Sequence, residues 1–256
     1  MPSSIRNGNQ LTTEEANYNR KVTKMRWVVE AVFGRLQNRF KFFRQRVPNR
    51  SIPQLENMLR IACALLNKFS PPINPSKPED VPQAALILER ERMPNCLVER
   101  VTEERWSRQR VNWIRGNATD LADFPHLSED DIKELTIGVY QLKLAPSYTA
   151  HHLRGGEFNY SYHRQTPNIV RVRMESRFDL GRFHNIFIEY STDPQLRGAQ
   201  SIAGYCCSCE CGSRTVGMCA HIATVLWYLG FFRRFPETRL PAVGIEQHAI
   251  DTRQRK

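Results

Sequence analysis

Five of the seven cysteines fall between Cys206 and Cys219, and His221 follows two positions later. A disulfide framework spreads its cysteines through a small secreted domain, whereas clustering beside a histidine points to a metal ion. Zinc takes four soft or borderline ligands in a tetrahedron, with bonds of roughly 2.0–2.3 Å. The segment GYCCSCECGSRTVGMCAHIATVLWYLG (204–230) offers a C-x-C pair, nine intervening residues with Gly212 and Gly217, and then the C-x-H pair Cys219 and His221. A strand end can present two thiols from one tight turn, and the glycines let the chain return. His221 then projects from the first turn of a following helix, where the helix N-terminus also favours thiolate over thiol. The first pair has two registers. Cys207 with Cys209 is one, and Cys209 with Cys211 is the other, so Cys211 is an alternative to Cys207 and Cys206 is spare.

The elements that must hold these ligands are legible in the periodicity. Ile169–Phe178 alternates Val170, Val172 and Met174 with Arg171, Arg173 and Glu175, which predicts a half-buried strand, and His184–Tyr190 and Ser201–Tyr205 predict two more. From Ala220 an apolar run predicts a closing helix that ends near Gly230. Ser128, followed by Glu129, Asp130 and Asp131, marks a helix start over 128–135. In the N-terminal part, Val29, Phe33, Leu36 and Phe40 share one face of a helix expected over 22–46, and a second amphipathic helix is expected over 53–68. Pro71, Pro72, Pro75, Pro78 and Pro82 read as an extended linker over 71–94, because such density suits neither a helix interior nor a central strand. The fold class is α+β: a helical piece over 10–70, the linker, a mixed and partly helical stretch over 95–165 containing Trp106 and Trp113, a small metal-stabilised antiparallel sheet with its helix over 166–232, and a basic, poorly ordered tail over 233–256.

Charge narrows the partners. The net charge is +11, and residues 1–50 hold eleven Lys/Arg against Glu14, Glu15 and Glu30. Basic side chains gain by releasing counterions condensed on nucleic acid. Arg35, Arg39, Lys41, Arg44 and Arg46 are therefore candidate phosphate contacts, and the expected partner is DNA or protein. No segment has the length and apolarity of a membrane span, and no apolar signal core opens the chain, so an intracellular protein, nuclear or cytoplasmic, is expected. No small-molecule site is evident. His151 and His152 read as surface features, His163 and His184 as ordinary strand residues, and no nucleophile-elbow motif surrounds Ser176.

Two family resemblances add to this reading. C-x-C…C-x-H before an apolar helix resembles the SWIM zinc finger, and GSRTVGMCAHIATVLWYLG (212–230) is similar to one group of such proteins in a register that selects Cys207 and Cys209. TIGVYQLKLAPSY (136–148) and VRMESRF (172–178) resemble the same group. The sequence departs from the pattern at Cys206 and Cys211. The resemblance implies structural zinc on Cys207, Cys209, Cys219 and His221. LTTEEANYNRKVTKMRWVVEAVFGRLQNRFKFF (11–43) resembles the last catalytic segment of Harbinger-type DDE transposases, whose core is RNase H-like. There Glu30 matches the third metal-binding carboxylate, with Arg26, Gly34 and Arg39 as motif neighbours. Two-metal strand cleavage needs several carboxylates around cations roughly 3.5–4 Å apart. The family places two aspartates on strands before this helix, whereas Asp80, Asp120 and Asp123 follow it here. The expectation is thus a nuclease remnant, from a truncated gene, a degenerate element or a domain that borrows its sheet elsewhere, with magnesium bound only if the nuclease is complete. The leading expectation is a zinc module binding nucleic acid or protein, against a metal-dependent endonuclease acting through Glu30 and a module for protein contact alone.

Overall fold

The alternation read in the sequence becomes a five-stranded antiparallel meander, in the order β1 (Trp113–Arg115), β2 (Tyr160–His163), β3 (Ile169–Glu175), β4 (Phe183–Tyr190) and β5 (Ile202–Cys207). The computed structural model describes residues 10–73, 80–109, 111–116, 121–153, 160–166, 168–176, 179, 181–235 and 240. Its helices are α1 (Thr13–Arg39), α2 (Ile52–Phe69), α3 (Asp80–Arg92), α4 (Cys96–Glu103), α5 (Glu129–Thr136), α6 (Tyr140–His152) and α7 (Ala220–Leu226), the last continued by a π-helical turn over Trp227–Phe231. The chain forms two compact units, one of residues 18–85 and the other of residues 3–17 with 86–256.

In the larger unit, successive side chains of a strand point to opposite faces, and both faces are covered. Val170, Val172, Met174, Ile186, Ile188 and Tyr190 meet Ile132 and Leu135 of α5, Ala145 and Tyr148 of α6, and Ile222, Val225 and Leu226 of α7. Ile169, Phe187 and Cys206 turn the other way, toward Leu97 of α4 and Trp106. Trp106 is fully buried, stacks on His163 at 5.0 Å and lies edge-on to Trp113 at 5.8 Å. It anchors a second core, in a stretch where the sequence predicts only mixed structure. The sheet accordingly begins at Trp113, well before residue 166.

Ser128 caps α5 with a reciprocal capping box. Its hydroxyl accepts the Asp131 N–H (3.1 Å), and Asp131 accepts the Ser128 N–H (2.8 Å). The same carboxylate accepts the Ala199 N–H, joining helix to loop. The expected linker is interrupted by α3, because Pro82 sits in its first turn, where an amide N–H has no intrahelical acceptor. Of the expected tail, Phe232–Arg234 forms a short helical turn whose arginines donate to the carbonyls of Leu121 and Phe124. Apart from Phe235 and Leu240, the later residues lie outside the described ones.

The start of α1 belongs to this sheet-bearing unit. Thr12 and Glu15 form a capping box, with Thr12 N–H to Glu15 at 3.0 Å and Glu15 N–H to Thr12 Oγ1 at 3.2 Å, while buried Leu11 and Ala16 flank the cap. The helix thus starts about nine residues before the predicted Val22. Residues 10–17 strap the loop after β5. Gln10 donates to the carbonyls of Cys207 and Cys209, Leu11 N–H to Glu210 O, and Ser213 Oγ to Leu11 O. Asn17 is 1% exposed; its Oδ1 accepts the N–H groups of Thr215 and Val216, each at 3.0 Å, and its Nδ2 donates to Thr215 Oγ1 at 2.8 Å.

The helical unit has a much smaller core. Leu36, Ala62 and Leu66 are buried, with Phe40 and Phe43 against them. Of the expected stripe on α1, Val29 and Phe33 are each 55% exposed. Two helices alone have too little facing surface to bury a full stripe.

Two outcomes follow for the larger unit. Asn17→Ala leaves two loop N–H groups without their acceptor and should cost about 2–3 kcal/mol in urea unfolding of the sheet. Burial alone would raise the Asp131 carboxyl, but the Ser128 hydroxyl and N–H and the Ala199 N–H hold it below its ordinary value. A depressed folded-state pKa stabilises above the unfolded value, and the gain is lost as pH falls through the folded one. Asp131→Asn should therefore flatten the acid limb of a stability–pH curve below about pH 4 while lowering stability at neutral pH.

Candidate metal centre

Register decides which of two adjacent cysteines faces inward. Cys206 pairs with Phe187 and Cys207 with Ile186 across β4–β5. Cys206 therefore joins the Leu97–Trp106 side, while Cys207 faces α7. The chain then tightens into a turn in which Cys207 N–H donates to Gly212 O and Gly212 N–H to Cys209 O, both at 3.0 Å, and Cys209 N–H donates to Cys207 Sγ at 3.4 Å. A Cβ on Gly212 would collide with the Cys207 carbonyl and lie 2.7 Å from its Cβ, so this position admits only glycine without backbone movement. Gly217 adopts φ 67°, the left-handed conformation that returns the chain. Arg214 donates to Met218 O, and the Tyr205 hydroxyl reaches Thr215 O and Gly217 O at 3.4 Å, fixing the loop's far limb. Cys219 then caps α7, and His221 stands in its first turn.

The result is one set of converging donors. The ligand atoms of Cys207, Cys209, Cys219 and His221 all lie within 4.8 Å of one another, and Cys207 Sγ is 3.8 Å from His221 Nδ1. Tetrahedral bonds of about 2.3 Å separate ligand atoms by roughly 3.8 Å, so binding requires a contraction of at most about 1 Å. Cys211 does not join this set. Its thiol lies against Cys209, whose hydrogen bond pulls it down to about 7 with help from Arg214. Burial would raise Cys219, but hydrogen bonds from Cys207, Cys209 and His221 hold it well below the ordinary thiol range. Burial pushes Cys207 well up, and hydrogen bonding to Cys207, Cys211 and Cys219 does the same for Cys209. Ionisation is thus favoured at Cys219 and opposed at Cys207 and Cys209. A divalent cation removes the penalty for ionising the other two, and this Cys/His cluster could hold such an ion.

Histidines surround the set. The ring of His184 is 4.8 Å from that of His221, and Tyr148 stands edge-on to His221 at 5.7 Å. His151 and His152 are half-buried at the end of α6 rather than on the surface, and burial together with His151 and His221 lowers His152 to about 4. His184 was missed in the sequence because its proximity to His221 arises from strand pairing. Gln10 and Asn17 were missed because they act from the other end of the chain.

The nuclease-like residues stand apart from this chemistry. Glu30 is 73% exposed at its side chain and pairs with Arg26 at 3.9 Å across one helical turn, an arrangement worth a few tenths of a kcal/mol. Arg39, Lys41, Arg44 and Arg46 are exposed, and half-buried Arg35 donates to Pro71 O at 2.6 Å. Asp123 accepts the Tyr190 hydroxyl at 3.1 Å, and Asp120 lies outside the described residues. Among the described residues, the Cys/His set is the one group of side chains arranged to hold a metal ion. No described helix is long and apolar enough to cross a membrane.

Comparison with known proteins bears on the N-terminal part. The family of DDE superfamily endonucleases matches residues 1–67, roughly a quarter of the chain. Neither the curated proteins nor the solved structures contain a significant match. The matched stretch crosses the division between the compact units, since residues 10–17 belong to the unit that carries the Cys/His set.

Substitution separates ligands from neighbours. Cys207→Ser or Cys219→Ser should abolish metal binding and, because binding and folding are linked, remove hydrogen-exchange protection from β3–β5 and α7 while sparing α2. Cys206→Ser and Cys211→Ser should retain the metal. Gly212→Ala should weaken metal affinity at least about tenfold by displacing the turn, the size of effect seen when ligand-supporting groups are lost.

Proposed function

We propose that this chain is a nuclease-derived protein whose sheet-bearing unit is a SWIM-type zinc module that binds nucleic acid without cutting it. The observation that carries the reading is the convergence of Cys207, Cys209, Cys219 and His221 from a strand end, a tight turn and a helix start. Three sulfurs and one imidazole nitrogen suit zinc, and magnesium and calcium prefer oxygen ligands. Four protein ligands close the coordination sphere, so the ion's role is structural and it offers no position for water. Arg39, Lys41, Arg44 and Arg46 supply an exposed basic surface on the helical unit, consistent with phosphate contacts that neutralise and position without reading sequence. Glu30 faces solvent beside Arg26, and one carboxylate cannot hold two divalent cations against water.

Purified protein should contain about one zinc per chain by mass spectrometry of metals. It should shift plasmid DNA at low salt, with affinity falling steeply as salt rises, and leave supercoiled plasmid intact with magnesium or manganese. Nicking that vanishes in Glu30→Gln would restore the endonuclease reading. Zinc without any shift at low salt would instead indicate a module for protein contact.

A further inference from the structure

A groove of about 440 Å³ opens between α4, the turn that follows it and the Cys206–Ser208 end of β5. Its rim carries Arg105 and Arg108 with the hydroxyls of Ser107 and Ser208, and Val98 and Val101 form an apolar wall. Among the described residues no carboxylate lines it. Of the acids on the flanking elements, Glu104 accepts Trp106 Nε1 at 2.8 Å and Glu189 pairs with Arg100 at 2.6 Å, while Glu99 and Glu103 remain on α4 outside the groove. Ser208 Oγ accepts the Asn185 N–H at 2.9 Å, which leaves its own proton to donate.

The backbone at Arg105 supplies an independent argument. Trp106 N–H donates to Val101 O at 3.1 Å and Arg105 N–H to Thr102 O at 3.2 Å. This is the Schellman ending of α4, and Arg105 occupies its left-handed position with φ 53°. Glycine ordinarily fills that position because a Cβ is strained there. The Arg105 side chain is exposed, so core packing does not account for an arginine at a glycine's place. Strain of this kind collects where a side chain serves a ligand.

We propose that this groove is a phosphate-binding subsite for single-stranded nucleic acid. Arg105 and Arg108 clasp a backbone phosphate, Ser107 and Ser208 donate to its oxygens, and the sugar of one nucleotide rests on Val98 and Val101. The volume suits a ligand of nucleotide size, and seating a sugar on Val98 and Val101 is easier for a flexible single strand than for a stiff duplex. The proposal rests on the nucleic-acid reading above and moves the specific contact from the basic helix to the metal-binding unit. Gln10, itself in the lining, donates to the Cys207 and Cys209 carbonyls, so the groove's shape depends on the Cys207–Gly212 turn.

The test uses the full chain and a fluorescent oligothymidylate of about a dozen nucleotides, within the range that compact single-strand sites cover, followed by anisotropy at low salt. Arg105→Gly should melt at or above the parent's temperature, since it relieves the left-handed strain, yet bind the oligonucleotide at least about tenfold more weakly. Arg108→Ala should weaken it similarly, each with a salt slope smaller by about one. A duplex of equal length should bind the parent less tightly than the single strand. Parent-like affinity in both variants, with the fold intact by circular dichroism, would overturn the groove and leave the nucleic-acid reading standing. No binding of the oligothymidylate by a parent that still binds the duplex would also overturn the groove, and no binding of either would overturn both.

Discussion

Three cysteine sulfurs and an imidazole nitrogen within 4.8 Å of one another raise a problem of charge before one of packing. At such separations two thiolates repel by several kcal/mol at an intermediate dielectric, so the set cannot ionise fully on its own. Ionisation favoured at Cys219, with Cys207 and Cys209 pushed toward the neutral thiol, is the compromise. Everything around the cluster serves to keep these groups together despite that cost. The β4–β5 register aims Cys207, the Gly212 turn brings Cys209 under it, and Cys219 begins α7. The helix so positioned contributes Ile222, Val225, Leu226 and Trp227 to the main core. The convergence of the Cys/His set and the packing of the sheet are therefore one problem with one solution.

How much of this could be read in the sequence depends on whether the signal was local. The period-two pattern of Val170, Val172 and Met174 and the Ser128 cap with its acids are local signals, and the structure follows them at β3 and α5. The Cys/His spacing is local too, but the choice between Cys207 and Cys211 is not. It depends on which face of β5 Cys207 occupies, which pairing with β4 determines, and on where the turn after β5 places Cys211. The start of α1 had a local signal, Thr12-x-x-Glu15 before Ala16, that the apolar stripe farther along obscured. Pro82 shows the opposite error: composition argued for extended chain, whereas position within the first turn of α3 makes proline harmless. Trp106 carries no periodic signal, because its burial comes from α4 and β4 closing over it.

Similarity and compactness divide the chain at different places. Residues 1–67 resemble DDE superfamily endonucleases, yet Leu11, Ala16 and Asn17 are buried in the unit that holds the Cys/His set. One helix, α1, thus begins as a structural part of the metal loop and continues into the helical unit. An Asn17 side chain that accepts two loop N–H groups is a specific fit between this segment and the Thr215–Val216 backbone. A chance junction of two unrelated pieces would leave such donors to water or to their own loop. The exposed Val29 and Phe33 face shows, by contrast, that the helical unit's own residues do not complete its packing.

The two metal chemistries suggested by the sequence are separated by ligand type as well as by place. Phosphodiester cleavage by the two-metal route uses hard cations on carboxylate oxygens, with open positions for water and substrate. The Cys/His set offers sulfur and nitrogen donors, three of them buried, and a tetrahedral ion there has all its positions filled by protein. Glu30 is exposed beside Arg26, and among the described residues it belongs to no group of side chains arranged to hold a metal ion. An ion held by the Cys/His set would tie the end of β5 to the start of α7.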